Sequence, residues 1–480
     1  MRMQTGNFPN SAHLLKLFGL LFFSISLLNA GCASTSTHAE SEPFRDVNIS
    51  LDNITAIRSQ ETPLPQNPLS LDEVIKMSLV HSKKMEIALR EESIQDDRIT
   101  GAYSNFLPKV QMSSVWHRRD TDQKMEMTLG PAKQTIIMGE KEVVTGKASL
   151  YLPLYTFGLN SSLYTQALKS KEAAEFSTAR VEDEVVLEAT QAYFTLLEAE
   201  NYKEVIDKSL ELIRSHKKVA QSFFEQGIVT RNDVLSAEVR ESEMEQQLLV
   251  IENSIAISRS NLNRLLGIDF EHPTRVQPVS EPAQFNVILE QCTSSALKYR
   301  PELKQLNKMK EATEAGISAA KASLYPRLSA ASGWNWSDDP TQVNKGYWTT
   351  DLMLEWTAFA GFGNTAKLSE AKKQLEQVKT REKELLDGIA MQIRISFFNA
   401  KQSIAQIEVA KKTCQQAEEN LRIVEERYKQ NLISSTEVLD AEAQLTRARA
   451  SLTSAINKSN TAVAELETAI GKNLKEISKE

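Results

Sequence analysis

The sequence is short of the residues that interrupt regular structure. Its 480 residues include only 17 glycines and 14 prolines, about half the share found in an average soluble protein. Few positions can therefore break a helix or a strand, and long uninterrupted elements are expected. The length would suggest about three domains, yet no glycine- or proline-rich linker divides the chain into such units.

Other scarcities exclude several functional classes. The three cysteines, Cys32, Cys292 and Cys414, lie far apart without a CxxC spacing, which predicts neither a zinc site nor a disulfide framework. The 56 basic and 63 acidic residues are interspersed, so no concentrated basic face is available for nucleic acid. No nucleophile elbow, phosphate loop or dinucleotide fingerprint occurs, and no two histidines lie within one helical turn. We expect no enzyme, cofactor, metal site or nucleic-acid partner.

The N-terminus has the pattern of an export signal. Arg2 and Lys16 precede an apolar run of 12 residues, 17–28, which suits a signal-peptide core and is too short to span a bilayer. We predict a signal peptide at residues 1–31 and a lipidated linker at residues 32–68.

The lipidation prediction rests on a cleavage motif. The sequence Leu-Asn-Ala-Gly-Cys at residues 28–32 resembles a bacterial lipoprotein box, in which the cysteine becomes a lipidated N-terminus. Asn29 departs from this pattern, because the motif prefers leucine there. Cleavage after Ala33 by the ordinary signal peptidase is the alternative. Ala33 after the cysteine resembles the signal that sends Gram-negative lipoproteins to the outer membrane.

The rest of the chain contains one unit twice. Residues 224–230 and 233–238 recur 204 positions later as residues 428–434 and 437–442. Nearer the N-terminus the offset is 218, which pairs Pro108 with Pro326. The first unit therefore contains about 14 additional residues in a strand-rich stretch. We predict a first repeat at 69–275, a linker at 276–285, a second repeat at 286–472 and a tail at 473–480.

Each repeat is predicted to run helix, strand, strand, long helix, tight turn, helix. Residues 160–226 contain no glycine or proline, so this run of 67 residues would form a helix about 100 Å long. The equivalent run after Asn364 contains only Gly388. Helices of this length must pack side by side. We predict that two shorter helices, at 71–107 and 236–266, stack end to end along the long helix of the first repeat.

Two stretches alternate with period two. Ala148, Leu150, Leu152 and Leu154 share one face in the first repeat, and Trp348, Thr350, Leu352, Leu354 and Trp356 share one face in the second. The pattern is typical of transmembrane barrel strands, although an edge of a soluble sheet is the alternative. Four strands per chain cannot close a barrel, and an open edge is excluded from lipid. Two chains would give a barrel filled by its own side chains, whereas three give twelve strands and a lumen.

Taken together, these features resemble the TolC-type outer-membrane efflux protein family over residues 69–472. The repeat, the Pro108 and Pro326 junctions and the Gly-Leu-Asn and Gly-Asn junctions at 158–160 and 363–364 carry the resemblance. It implies an α+β membrane protein, a homotrimer with a twelve-stranded outer-membrane β-barrel and a long antiparallel α-helical barrel in the periplasm. The implied function is the exit duct of a tripartite efflux system, with outer-membrane lipid, a periplasmic adaptor and an inner-membrane transporter as partners. A type I secretion duct and a structural coiled-coil periplasmic lipoprotein are the alternatives.

The resemblance also implies two kinds of functional residue near the helical turns. The turns would dock the adaptor, although a purely structural role is the alternative. Charged residues nearby would close the periplasmic entrance, although a solvated helix face is the alternative. The implied docking residues are Gly227, Ile228, Val229, Thr230, Asn431, Leu432, Ile433 and Ser434, and the gate candidates are Asp233, Arg427, Glu437 and Asp440.

Overall fold

The computed structural model describes residues 68–130, 132–279 and 285–474. The predicted signal peptide, the lipidation site at Cys32 and nearly all of the predicted N-terminal linker lie outside the described residues. Most of the predicted C-terminal tail and part of the predicted inter-repeat linker lie outside them as well.

The described chain contains two units of the same element order, as the sequence predicts. Each unit has a pair of consecutive helices, two strands of one sheet, a helix of 67 residues and a returning helix of 36 residues. The first unit consists of α1 (Leu71–His81), α2 (Lys83–Tyr103), β1 (Lys109–Arg118), β2 (Gln123–Leu129), β3 (Ala132–Gly139), β4 (Glu142–Tyr155), α3 (Leu159–Glu225) and α4 (Arg231–Leu266). The second consists of α5 (Leu289–Tyr299), α6 (Pro301–Ala322), β5 (Arg327–Ser337), β6 (Gly346–Glu355), α7 (Gly363–Lys429) and α8 (Ser435–Ile470).

The prediction of a single helix at residues 71–107 is wrong. Ser82 has extended backbone dihedrals, and its hydroxyl accepts a hydrogen bond from the Met85 amide at 3.3 Å, so it ends α1 and caps α2. The second unit breaks at the equivalent place, where Arg300 precedes Pro301 and the proline ring disfavours a helical residue before it. The first unit also leaves the helix earlier than expected, at Tyr103, and continues as a 3-10 turn.

The long helices provide the core to which the shorter helices attach. Tyr193 on α3 and Leu262 and Leu266 on α4 are buried in the first unit. Their counterparts 204 residues later, Phe397, Leu466 and Ile470, are buried in the second. Each fully buried leucine of this kind contributes about 2 kcal/mol to stability. Each returning helix therefore packs an apolar face into the core of its unit.

The predicted end-to-end arrangement of the short helices is also confirmed. Helix α4 ends at Gly267, which has φ 70°, and a Cβ there would lie 2.7 Å from the His81 Cβ. The end of α4 therefore lies against the junction of α1 and α2. Helix α4 begins five residues before the expected start, because Thr230 caps it.

The main sheet contains the four predicted strands in the order β1-β4-β5-β6, all antiparallel. The register aligns Met112 with Ala148, Ala148 with Trp334, and Trp334 with Trp348. Residues directly opposite one another in antiparallel strands project from the same face. The two apolar alternations predicted in separate repeats therefore lie on one continuous face of the sheet.

A second, two-stranded sheet is an element that the sequence analysis did not predict. Strands β2 and β3 form a hairpin within the insertion of the first unit. The Thr341 hydroxyl, in the loop between β5 and β6, donates to the Met138 carbonyl of β3 at 3.1 Å. The additional residues thus extend the loop between β1 and β4 without adding a strand to the main sheet.

Candidate functional site

Two turns join each long helix to its returning helix, and they have the same backbone geometry. In the first tip, residues 226–230, the Ile228 amide donates to the Phe223 carbonyl at 2.8 Å. In the second tip, residues 430–434, the Leu432 amide donates to the Arg427 carbonyl at 3.0 Å. The pattern is a Schellman motif, which requires a residue with positive φ that glycine or asparagine adopts at least cost. Gly227 has φ 72° and Asn431 has φ 56°.

Both returning helices begin with a capping box. Asp233 accepts hydrogen bonds from the amide and hydroxyl of Thr230 at 3.1 and 2.8 Å through Oδ2. Glu437 makes the equivalent contacts with the amide and hydroxyl of Ser434 at 3.4 and 3.5 Å. The boxes satisfy amide groups that the first helical turn leaves unpaired. Two of the gate candidates therefore have a local role at a helix N-terminus.

Asp233 has a second role that connects the two units. Its Oδ1 accepts a hydrogen bond from the Ser435 amide at 3.3 Å, and the Ser435 hydroxyl donates to the Asp233 carbonyl at 3.4 Å. Ser435 is the first residue of α8 and is fully buried. One carboxylate thus lies at the N-termini of α4 and α8 together, where the helix dipoles favour negative charge.

The other gate candidates do not connect the units. Glu437 is exposed, and in the described part of the chain its side chain forms hydrogen bonds with Ser434 alone. Arg427 and Asp440 are exposed, and within residues 68–130, 132–279 and 285–474 their side chains form neither an ion pair nor a hydrogen bond. Of the four candidates, the structure brings only Asp233 to the junction between the two helical hairpins.

Three further residues that the sequence analysis did not select, His216, Tyr428 and Phe223, lie at this junction. The His216 Nε2 is 2.8 Å from the Ser435 hydroxyl, and the His216 ring lies 4.9 Å from the buried Tyr428 ring. Phe223 contacts the same tyrosine at 5.8 Å. The repeat contained a signal for Tyr428, because an aromatic residue, Phe224, occupies the equivalent position of the first unit. For His216 the sequence offered no such signal.

The surroundings keep both side chains neutral at pH 7. Burial lowers the pKa of His216 to about 4, and the nearby Asp233 carboxylate opposes this shift. Burial raises the pKa of the Tyr428 phenol, and the Asp233 charge raises it further. The junction therefore contains one carboxylate close to two uncharged aromatic side chains.

A second polar contact joins the hairpins further from the tips. Glu442 on α8 is 3% exposed and accepts hydrogen bonds from the hydroxyls of Ser209 on α3 and Thr446, the latter at 2.8 Å. The Arg240 Nε on α4 is 3.8 Å from the other Glu442 oxygen. We call the contacts His216–Ser435 and Ser209–Glu442 the polar seam.

The polar seam differs from the interior of each hairpin. Within the first hairpin, α3 and α4 pack through Ile206, Leu210, Ile213 and Met244. Within the second, α7 and α8 pack through an apolar cluster that includes Leu421, Val438 and Leu445. Burying polar groups contributes little net stability, yet it leaves costly unpaired groups when a contact breaks. Leu212, Val219 and Phe223 of α3 also pack against the cluster of the second hairpin. The two hairpins are therefore held together by apolar contacts together with the directional contacts of the polar seam.

The main sheet presents a different candidate surface. Leu352 and Leu354 on β6 are 71% and 69% exposed, on a face shared with Trp348. Alternate residues on the opposite face are polar and include Lys147, Arg327, Asp351 and Glu355. Trp348 and Trp356 flank the apolar segment and are separated by eight residues, about 27 Å along a strand. Transmembrane barrel strands have an apolar band of about 25 Å between aromatic residues.

Among residues 68–130, 132–279 and 285–474, no helix combines the length and apolar composition that crossing a membrane requires. In the described part of the chain, histidine, cysteine and acidic side chains form no group of three or more that could hold a metal ion.

The comparisons with known proteins agree with this geometry. The model of the outer membrane efflux protein family matches residues 74–268 and 292–472, and the chain belongs to that family. This confirms the predicted family, its outer-membrane location and its function as an outer-membrane efflux channel. The family is channel-forming and is not an enzyme family.

Similar proteins come from several bacteria. The probable efflux pump outer membrane protein TtgC of Pseudomonas putida is 20% identical over 395 residues, which cover 80% of this chain and 79% of TtgC. The multidrug resistance outer membrane protein MdtP of Escherichia coli O157:H7 is 22% identical over 175 residues, 36% of each chain.

Solved structures share the fold at low identity. The Campylobacter jejuni CmeC outer membrane channel has a TM-score of 0.71 and 15% identity, over 85% of this chain and 88% of CmeC. The transmembrane channel CusC has a TM-score of 0.70 and 17% identity, over 84% of this chain and 92% of CusC. The predicted fold class is confirmed.

Proposed function

We propose that three copies of this chain form the outer-membrane exit duct of a tripartite efflux pump. The observation that carries the proposal is the four-stranded sheet, whose apolar face is exposed and whose edge strands, β1 and β6, each pair with one neighbour in the described chain. In lipid an unpaired edge would leave amide and carbonyl groups without hydrogen bonds. Pairing β1 of one copy with β6 of the next removes both edges, and closure at three copies gives twelve strands around a lumen.

The helical layer has two exposed apolar stripes that support this assembly. In the half nearest the tips, α3 and α8 lie between α4 and α7. Exposed residues on α4 include Val239, Val250 and Ile257, and exposed residues on α7 include Phe398 and Val409. Val250 lies 20 residues from Thr230, and Val409 lies 22 residues from Asn431, so the stripes extend to similar heights above the tips. Contact between α4 of one copy and α7 of the next would bury both in a closed ring.

A charged substitution in one stripe tests the assembly. Val250→Glu places a carboxylate directly opposite the face of α4 that packs on α3, and we expect it to prevent assembly of the protein purified in detergent. Ala256→Glu is the matched control, because Ala256 is exposed on α4 about 100° away from the stripe. Light scattering should give three chains for the wild type and the control and one chain for Val250→Glu. A wild-type protein that is a water-soluble monomer would contradict the proposal.

The tips are the surfaces that we propose for docking a periplasmic adaptor, which would connect the duct to an inner-membrane transporter. Ile228 and Leu432 are exposed at the turns although they are large and apolar. Exposed apolar residues at the end of a helical hairpin favour contact with another protein. Ile228→Asp together with Leu432→Asp should abolish adaptor capture without changing trimer mass. Unchanged capture would exclude the tips as the docking surface.

The gate that we propose is the link between Asp233 and Ser435. It joins the N-termini of α4 and α8, and separation of the two hairpins would break it. Opening is then a shift between two packings of intact hairpins, driven by a partner that binds the open packing more tightly. In this account Glu437, Arg427 and Asp440 have no closing role within one chain.

The proposed duct has a lipid anchor, which rests on the sequence. We propose lipidation of Cys32, supported by the cleavage motif, and Cys32→Ser should abolish labelling with radioactive palmitate. Unchanged labelling would refute a lipid at that residue.

The cargo that we propose is small organic compounds, since TtgC is an efflux pump protein and MdtP is a multidrug resistance protein. Deletion of the gene should lower the inhibitory concentrations of several unrelated compounds.

A further inference from the structure

His216 occupies a position that the gate proposal does not use. It lies on α3, nine residues before the end of that helix, and its ring is half-buried between the two hairpins. Its Nε2 is 2.8 Å from the Ser435 hydroxyl, and Ser435 also holds both hydrogen bonds to Asp233. His216 therefore contacts the residue through which Asp233 joins α4 to α8.

The helical register places this contact in the polar seam. Ser209 precedes His216 by seven residues on α3, and Glu442 follows Ser435 by seven on α8. Seven residues are about two helical turns, so both contacts lie on one face of an antiparallel helix pair. Glu442 is bound by hydroxyl groups and faces Arg240. Of the two contacts in the polar seam, the one that His216 forms lies nearer the tips.

We propose that His216 is a gate-positioning residue that makes the closed packing of the tips sensitive to acid. The proposal rests on the proposed function, since it requires a channel that the tips close. The neutral ring holds Ser435 in place, and Ser435 in turn holds Asp233. A proton on His216 puts a positive charge into the junction and gives Asp233 a competing partner.

The ionisable groups around His216 favour this behaviour. From α4, Asp233 faces the ring, and its two oxygens accept hydrogen bonds from Thr230 and Ser435. From α7, the neighbour is Tyr428, whose raised pKa keeps the phenol neutral at and below pH 7. From α8, the nearest neighbour is Ser435, with Glu442 two turns away. On α3, the cations Arg214 and Lys217 are both paired with Glu241 of α4. Among the described residues, Asp233 is thus the charged group that faces a protonated His216, and its attraction to the imidazolium competes with its hydrogen bonds to Thr230 and Ser435.

The direction of the pH effect follows from the pKa of His216. Burial lowers this pKa to about 4 in the closed packing, whereas a solvated histidine has a pKa of about 6.5. Stability of the closed packing is therefore complete above pH 6.5 and decreases as the pH falls through 6.5 towards 4. At pH 5.5 the ratio of open to closed protomers should be roughly tenfold higher than at pH 7.5.

Single-channel conductance of the purified full-length protein in planar bilayers tests the proposal. We would compare pH 7.5 with pH 5.5 for the wild type, His216→Gln and His272→Gln. Glutamine can still bond Ser435 but does not titrate in this range. His272 is the matched control, because it is half-buried and bonds the Thr274 hydroxyl at 3.0 Å far from the tips. Asp233→Ala, which removes the proposed link, provides an open reference at pH 7.5.

The expected result is a ratio of open to closed protomers that is about tenfold higher at pH 5.5 than at pH 7.5 in the wild type and His272→Gln and is unchanged in His216→Gln. An equal rise in His216→Gln would overturn the assignment of His216. A wild type that ignores pH while Asp233→Ala conducts would overturn the acid response and leave the channel function intact. Absence of conductance in every variant at both pH values would overturn the channel function and the acid response together.

Discussion

Asp233 and Glu437 occupy equivalent positions in the two repeats but have different roles. Each caps the helix that it begins, through a capping box with Thr230 or Ser434. Only Asp233 also binds across the hairpins, to the amide of Ser435. The repeated sequence predicted where these carboxylates lie. It could not predict the difference, because this depends on how α4 and α8 are placed against one another.

Replacing the two carboxylates separately measures this difference. Asp233→Ala removes caps from α4 and α8, each worth about 1 kcal/mol, and opens the tips. Glu437→Ala removes only the cap of α8 and should leave the channel closed. Conductance at pH 7.5 should rise in the first variant alone. Equal conductance of the two variants would contradict the bridging role of Asp233.

The buried Glu442 carboxylate is expected to be more sensitive than its exposed neighbour Asp440. Glu442→Ala removes the carboxylate that accepts from the Ser209 and Thr446 hydroxyls and lies 3.8 Å from Arg240, and should lower the free energy of unfolding by about 3 kcal/mol. Glu442→Gln retains an acceptor and should cost less. Asp440→Ala is the surface control and should change stability by less than about 0.5 kcal/mol. Denaturant unfolding of the three variants distinguishes these values, and equal losses would show that Glu442 has no buried contact to lose.

At the scale of elements, the turns with positive φ have unequal surroundings. Gly267 and Gly227 have nearly the same φ, 70° and 72°, but a Cβ would lie 2.7 Å from His81 in the first and would meet nothing within 4 Å in the second. Gly227→Ala should therefore cost only the backbone strain, about 1 kcal/mol. Gly267→Ala should cost clearly more, because α4 must move away from the junction of α1 and α2. Thermal unfolding measures both, and a cost at Gly227 equal to that at Gly267 would contradict this packing.

The strands of the main sheet allow a comparison of adjacent residues on opposite faces. Leu352 is on the apolar face of β6, and Asp351 is on the polar face. Leu352→Lys should cost about 2–4 kcal/mol if its face contacts lipid, whereas Asp351→Lys should be tolerated and change only the charge of the lumen. The amount of each variant in outer-membrane fractions is the readout. Normal levels of Leu352→Lys would place that face outside the lipid.

The sequence predicted the long helices and the four strands of the main sheet because both have strong patterns. The absence of glycine and proline defined α3, and period-two alternation defined β4 and β6. It did not predict the break at Ser82, since serine is tolerated within a helix and only its hydrogen bond to Met85 shows that it is a cap. Strands β2 and β3 were recognised only as an insertion, because neither belongs to the repeat.

Less of the candidate site than of the fold could be predicted from the sequence. The tips were located correctly from the repeat, and Gly227 and Asn431 have the backbone conformation expected of them. His216, Tyr428 and Ser435 meet there from three different helices. Contacts between residues that are over 200 positions apart depend on packing, and a single sequence does not encode them in any local pattern.

At the scale of the whole molecule, the unpaired sheet edges, the exposed apolar face and the two helical stripes have one common explanation. Each is a surface that one chain exposes and that a closed ring of three chains would bury or place in lipid. The scarcity of glycine and proline has the same explanation. A chain that provides one third of a continuous tube needs elements as long as the tube itself.

The most direct test of this account combines mass with conductance. The full-length protein, extracted from outer membranes in detergent, should have the mass of three chains and should form discrete ion channels in planar bilayers. The conductance of single channels should increase in Asp233→Ala. A stable monomer, or a trimer that conducts no ions even with Asp233 replaced, would contradict the proposal that this chain forms a gated outer-membrane duct.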